Sequence, residues 1–300
     1  MDDLVLLSER AGVTVVTDVD ARKLTSFQSG GRVKYLFLPS SVQELQRTIA
    51  RLKAFDMPYR VIGGGSNLLL PDEGFAGALI KLSRLSGVGV CGREVTADAG
   101  VKLPRLARLA AEKGLAGLEF ACGIPAEIGG ATVNNAGAFG QTLSDVLEDV
   151  VVLSRDGEVK VLSAASLGLS YHTSRFPEGC VVLCVKLRLK KDDPDVIENR
   201  MRQMIERRLL TQPREPSVGS VFQRANGVPA ALYVEKTGLK GLRIGGAELS
   251  TKHCNFIVNK GGATTEDFFR VAETVRNKVA DDFGVLLQYE VERICSPKSN

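Results

Sequence analysis

The apolar and polar positions of this chain change period along its length. Apolar runs or two-residue alternations at 35–38, 59–62, 78–82, 147–153 and 181–189 predict strands. Within the last, Val185, Leu187 and Leu189 alternate with Lys186, Arg188 and Lys190, as in a strand with one wet face. Helical spacing takes over at 41–55, where Val42, Leu45, Ile49 and Leu52 share a face and Ser41 with Glu44 forms a capping box. It recurs at 102–113, with Leu103, Leu106, Ala107 and Ala110 on one side and Gly114 at the end. A polar break at 190–194 precedes a charged amphipathic helix over 195–210, with Ile197, Met201, Met204 and Ile205 inward. The last helix covers 265–283 and a strand follows at 285–291. This alternation predicts an α+β protein of two domains, residues 1–192 and 193–300.

Composition narrows the class. Of 300 residues, 44% are hydrophobic and 25% charged, an ordinary globular balance. The net charge of +4 comes from 39 basic residues interleaved with 35 acidic ones, which argues against nucleic acid as the main partner. No apolar run approaches a membrane-spanning length, and Asp2 and Asp3 stand where a signal peptide carries positive charge, so a cytoplasmic protein is expected. The six cysteines show no CxxC pair and no metal-ligand rhythm with the two histidines, so buried reduced thiols are expected and no metal site.

Two loops carry the strongest local signal. In the first, the strand ending at Ile62 runs into Gly63, Gly64 and Gly65, then Ser66 and Asn67. Three residues without side chains let successive N–H groups curl around an anion, which suits a pyrophosphate. The spacing matches neither GxGxxG nor a P-loop, and a Gly-rich turn after a strand also serves as simple punctuation. The second loop, 122–140, holds five glycines and two asparagines in nineteen residues, a composition that lets backbone lie against a flat ligand. There Gly123, Gly129, Gly130, Asn134 and Gly137 supply close approach, while Ile124 and Ile128 can touch an aromatic ring. Together the loops favour a large dinucleotide.

Further candidates lie downstream. Ser220 sits on a small-residue turn after Gly219, close to Gln223 and Arg224. It lacks the GxSxG frame of a hydrolase nucleophile, so proton donation suits it better than acyl transfer, unless it only holds the turn. Lys252, His253 and Asn255 can meet phosphates, or can end a strand. Glu290, among apolar neighbours, reads either as a half-buried carboxylate of raised pKa or as half of a salt bridge. Tyr171, His172 and Arg175 cluster polar groups before Phe176.

In this order these residues resemble the UDP-N-acetylenolpyruvoylglucosamine reductase family of flavoenzymes, in its more compact second subtype. The resemblance covers nearly the whole chain. It rests on Thr25-Ser26-Phe27 before Gly30-Gly31, the two glycine loops, the segment 171–176, Gly219-Ser220 with Phe222, Ser250 to His253, and Tyr289-Glu290-Val291. It implies a two-lobed FAD-binding domain of the vanillyl-alcohol-oxidase-like type, with lobes at about 18–82 and 83–192, and a smaller α/β substrate domain. It further implies NADPH as reductant, a nucleotide-sugar substrate and a monomer. Ser220 then matches the family's proton donor, Glu290 the acid that stabilises the enol-like intermediate, and Tyr171, Gln223, Arg224, Lys252 and His253 the substrate side. The chain departs from the family pattern at His172, where arginine is usual, leaving either His172 or Arg175 to take that role. It departs again at Ala126-Glu127, where a Gly-Thr or Gly-Ser pair is usual, and at Val221, where some members have phenylalanine. Another flavin oxidase of the same fold, or a flavin-loaded binding protein without turnover, are the competing readings.

Overall fold

The computed structural model describes residues 3–10 and 12–296. Seven α-helices lie among them: α1 (Asp3–Arg10), α2 (Val42–Ala54), α3 (Leu103–Glu112), α4 (Ile128–Val133), α5 (Pro194–Thr211), α6 (Ala230–Lys236) and α7 (Thr265–Phe283). By compactness the chain divides into two units. The first comprises residues 1–15, 36–64 and 79–208, the second residues 16–35, 65–78 and 209–300.

The first unit is built on a five-stranded antiparallel sheet in the order Val159–Ser163, Leu147–Leu153, Val181–Arg188, Glu94–Asp98, Val88–Cys91. Its central strand buries Val185, Leu187 and the adjoining Leu189 while Arg188 and Lys190 stay wet, the alternation expected from the sequence. The short α4 packs on Val181–Arg188 and Glu94–Asp98, so its own residues are largely covered. The second unit carries a four-stranded antiparallel sheet, Ser217–Ser220, Phe256–Asn259, Ala247–Leu249, Arg243–Ile244, covered by α7. Its core joins Phe27, Phe222, Ile257, Phe268 and Val275, with the Phe27 and Phe268 rings edge to face at 5.1 Å. A further four-stranded sheet runs in the order Thr14–Asp20, Arg32–Leu38, Phe75–Lys81, Tyr59–Ile62.

Several expectations need correction. The Ser41 hydroxyl does cap α2 by accepting from Glu44 N at 3.2 Å, but the Glu44 carboxylate reaches past Ser41 to Ser40 N, so the box is only half formed. Ile205, expected inward on α5, is exposed, because only Ile197 and Met201 on that helix are buried. The strand expected over 285–291 is an irregular segment with one bridge, Tyr289 to Phe222, and regular pairing is confined to Glu292–Arg293. Its Glu290 N–H goes instead to Val221 O, and its Gln288 carbonyl accepts from Gln223 N. Cys91 and Cys295 are exposed, not buried. The helix α1 is not among the elements the apolar pattern predicts.

Candidate active site

In the first unit, Gly63 and Gly64 leave the end of Tyr59–Ile62 and face the start of α4. A Cβ on Gly63 would lie 3.8 Å from both N and Cα of Gly130, and one on Gly64 would lie 3.6 Å from Glu127 N, ordinary contact distances. A Cβ on Gly130 would meet nothing within 4 Å. These positions therefore leave a side-chain-free cradle that glycine keeps open. Into it turns the carboxyl of Glu127, whose Oε2 is 3.8 Å from the Gly63 Cβ position. Glu127 is only 4% exposed, and its Oε2 has no hydrogen-bond partner among the described residues. Burial pushes its carboxyl above the usual carboxylate range, against the opposing fields of Lys81 and Lys102. An orphaned buried acceptor costs about 1–3 kcal/mol, so a partner is called for.

The rest of the second loop divides by role. Ile128 is fully buried and its N–H bonds Val101 O, while Gly129 N–H bonds Ala99 O and a Cβ there would sit 2.7 Å from that of Ala99. Both positions thus serve packing of α4. Gly137 holds the tight pair Gly137–Ala138 and Gln141–Thr142, where a Cβ would come 2.5 Å from Gln141 O. Gly123 leaves passage for the Arg208 side chain, whose Cδ lies 2.9 Å from the Cβ position. Ile124 and Asn134 remain half-buried.

Tyr171 and His172 form the tip of a turn in which Ser170 and Thr173 exchange backbone bonds. His172 takes φ +49°, and the two rings meet edge to face at 4.3 Å. The turn is tied to the glycine loop, since Asn135 Nδ2 donates to Ser170 O and the Ser174 hydroxyl to Val133 O. Arg175 is exposed, and its side chain lies against Gly168.

In the second unit, Gly65 is obligatory: its φ is +70° and a Cβ would stand 1.9 Å from Leu24 O. Asn67, expected to serve a ligand, donates its side-chain amide to Glu290 O at 3.0 Å. Ser220 ends the strand Ser217–Ser220 after a bulge at Gly219, which takes φ +81°. The Asn255 backbone carbonyl accepts from Val221 N, while its side chain accepts from Phe222 N at 3.0 Å and donates to Phe222 O at 2.8 Å. Asn255 is therefore consumed by the fold instead of facing a ligand. Glu290 N donates to Val221 O and Gln223 N to Gln288 O, so the Ser220 turn and the Glu290 segment run side by side. The half-buried Glu290 carboxyl is raised to about 7 by burial. His253 accepts from Asn255 N through Nδ1, stacks edge-on against Phe256, and burial lowers its pKa, which favours the neutral ring. Lys252 donates to Leu209 O, and Gln223 and Arg224 are exposed.

The sequence marks Glu127 only as a departure from the loop pattern and Asn255 as a phosphate contact, whereas the structure buries the first in the cradle and makes the second a backbone clamp. The signal for the first was present, since Glu127 is the sole charged residue in 122–140. For Asn255 no local signal distinguishes a buried clamp from an exposed donor.

The first unit offers a glycine cradle suited to a nucleotide, and the second a serine turn paired by backbone bonds with the segment of Glu290, features that suit a cofactor-dependent oxidoreductase. Residues 33–163 match the FAD binding domain family, and residues 212–294 match the family described as UDP-N-acetylenolpyruvoylglucosamine reductase, C-terminal domain. The chain is 41% identical over 288 residues to the UDP-N-acetylenolpyruvoylglucosamine reductase of Clostridium botulinum (strain Okra), covering 95% of this chain and 94% of that one. It is 43% identical over 271 residues to the enzyme of the same name from Thermotoga maritima, covering 89% and 94%. The crystal structure of UDP-N-acetylenolpyruvylglucosamine reductase from Thermus caldophilus aligns with a TM-score of 0.81 at 35% identity, covering 95% of this chain and 99% of that one. The chain belongs to the UDP-N-acetylenolpyruvoylglucosamine reductase family and is an FAD-dependent oxidoreductase. The open glycine cradle and the unpartnered Glu127 oxygen fit a flavin nucleotide.

Proposed function

We propose that this protein uses NADPH to reduce UDP-N-acetylenolpyruvoylglucosamine to UDP-N-acetylmuramate, a step of bacterial peptidoglycan precursor synthesis, as a cytoplasmic monomer. Residues 1–192 hold FAD and residues 193–300 recognise the nucleotide sugar. When bound, FAD supplies the two-electron carrier, a hydride accepted from NADPH and given to the methylene carbon of the enolpyruvyl ether. Gly63, Gly64, Ile124, Gly130 and Asn134 line its path, with Ile128, Gly129 and Gly137 shaping the loop behind them, while Gly65, Asn67 and Gly123 hold the surrounding backbone in place.

Ser220 delivers the proton to the carbon next to the one that takes the hydride, so the double bond is saturated and charge balances. A hydroxyl is a weak acid, and Glu290, protonated near neutral pH, donates to the substrate carboxylate where negative charge builds. The observation that carries this reading is the pairing of the Ser220 turn with the Glu290 segment through Glu290 N and Val221 O. His172, held at the tip of its turn, takes the role that arginine plays in the family, while Arg175 stays against Gly168. Tyr171, Gln223, Arg224 and Lys252 meet the nucleotide sugar as exposed donors, and His253 meets it as a neutral donor through Nε2.

An anaerobic absorbance trace tests the assignment. NADPH should bleach the flavin band of the purified protein, and the enolpyruvyl sugar should then restore it. A protein without a flavin band that takes up no added FAD overturns the reading, and bleaching without recovery overturns the substrate.

A further inference from the structure

The Glu127 carboxyl is assigned no part in the reaction above, yet it is the buried polar group most directly turned into the cradle. Three observations bear on its purpose. Its Oε2 is without a partner among the described residues although the side chain is 4% exposed. It lies against Gly63 and Gly64, two positions without side chains facing Gly130, whose own Cβ position meets nothing within 4 Å. Its backbone is fixed from both sides, because Ala126 O accepts from Leu103 N and Ile128 N donates to Val101 O, so the side chain cannot be carried out of the cradle by a simple loop shift.

The charged groups acting on it among the described residues are Lys81, at the end of Phe75–Lys81, and Lys102, before α3. Neither forms an ion pair with it.

A phosphate-bearing ligand in such a cradle cannot tolerate an ionised carboxylate against it, whereas a protonated carboxyl is a good donor to an anionic oxygen. We propose that Glu127 binds FAD in its protonated form, donating a hydrogen bond from the carboxyl to the cofactor at the Gly63–Gly64 cradle, so that the protein releases its flavin as pH rises. No proton leaves the pair on binding below the ionisation range; above it, the carboxyl must take one up from solvent for FAD to stay. Burial, which raises the carboxyl above its ordinary range, works in the same direction. Ionisation then removes a donor and adds a repulsion together, so the total loss of affinity is larger than the loss of a neutral contact would be. The proposal rests on FAD occupying this cradle.

The test measures flavin release from the full-length holoprotein on dilution, read as recovered FAD fluorescence, across mildly acidic to alkaline pH. The wild-type protein should lose FAD affinity about 10-fold per pH unit above the ionisation of Glu127. Glu127→Gln keeps an N–H donor but cannot ionise, and should hold FAD with a flat pH profile. Glu127→Ala should bind about 10- to 100-fold more weakly at acidic pH, and also with a flat profile. A Glu127→Gln profile as steep as that of the wild type, or a flat wild-type profile, overturns the role of Glu127 while leaving FAD binding intact. Failure of the wild type to hold FAD at any pH overturns the placement of the cofactor itself. Circular dichroism on both variants separates a misfolded Glu127→Ala from a weak binder, and Glu127→Gln, nearly the same shape, carries the decision where the alanine variant is unfolded.

Discussion

Gly64 and Gly65 are neighbours in sequence and opposites in use. Around Gly64 a side chain would meet only ordinary contact distances, and beside the adjoining Gly63 stands Glu127 Oε2, which has no hydrogen-bond partner among the described residues. Around Gly65 the missing side chain is filled by the protein itself, with Leu24 O where a Cβ would stand and Gly65 O accepting from Ser26 N. The same contrast separates the cradle from the Ser220 turn, where Asn255, Gln288 and Glu290 satisfy every neighbouring backbone group they reach. A region built to take a ligand is left incomplete, and a region built to hold a reacting side chain is over-determined.

The sharpest way to separate the two regions is to remove the chemistry from one. Ser220→Ala should leave flavin reduction by NADPH intact and slow reoxidation by the enolpyruvyl sugar by roughly 10²-fold or more, as stopped-flow absorbance would record. Equal rates in both half-reactions would take Ser220 out of the proton transfer. The glycine contrast is tested next. Gly65→Ala, strained at positive φ and blocked by Leu24 O, should lose about 2–4 kcal/mol in urea unfolding. Gly64→Ala should unfold within about 0.5 kcal/mol of wild type yet bind FAD more weakly. If the two variants unfold alike, the distinction between an open and a filled glycine fails.

A smaller effect follows from Glu290. Its carboxyl is ordinarily near 4.5 and rises to about 7 in the folded protein, so the folded state holds a proton that the unfolded chain has lost. The stability this group contributes therefore falls as pH rises between those values, by at most about 1.4 kcal/mol per pH unit. Glu290→Gln should flatten that slope in denaturation curves measured across the window, and an unchanged slope would place the titration elsewhere. The smallest effect concerns the missing arginine. Arg175→Ala should change kcat/KM by less than about 3-fold, whereas His172→Ala should reduce it by about 10-fold or more. The reverse order would hand the role to Arg175.

Much of the fold is legible in the sequence. The long helices α5 and α7 fall within two residues of their expected ends because their apolar periods are strong and their boundary signals, Pro194 at the start of α5 and Gly284 after α7, are local. The segment around Glu290 was misread as a strand because its apolar pattern is that of buried chain in general. Its partners are the Ser220 turn and Asn67, and no local rule reveals pairing across such distances. Ile128 and Gly129 were placed at the ligand for a similar reason. A glycine that admits Ala99 and a glycine that admits a cofactor look alike in sequence. Glu127 is visible as the sole charged residue of 122–140, but its burial in the cradle is not.

The second unit is assembled from the beginning and the end of the chain. Asn67 gives its amide to Glu290 O, across 223 positions, and accepts at its carbonyl from Glu292 N, while Leu68–Leu69 pairs in parallel with Glu292–Arg293. During synthesis, then, the Gly65 to Leu69 segment must wait for almost the entire polypeptide to leave the ribosome before it acquires its final neighbours. Such late closure makes folding slow, and premature termination a few residues before Glu292 would be as damaging as a change at the glycine loop itself.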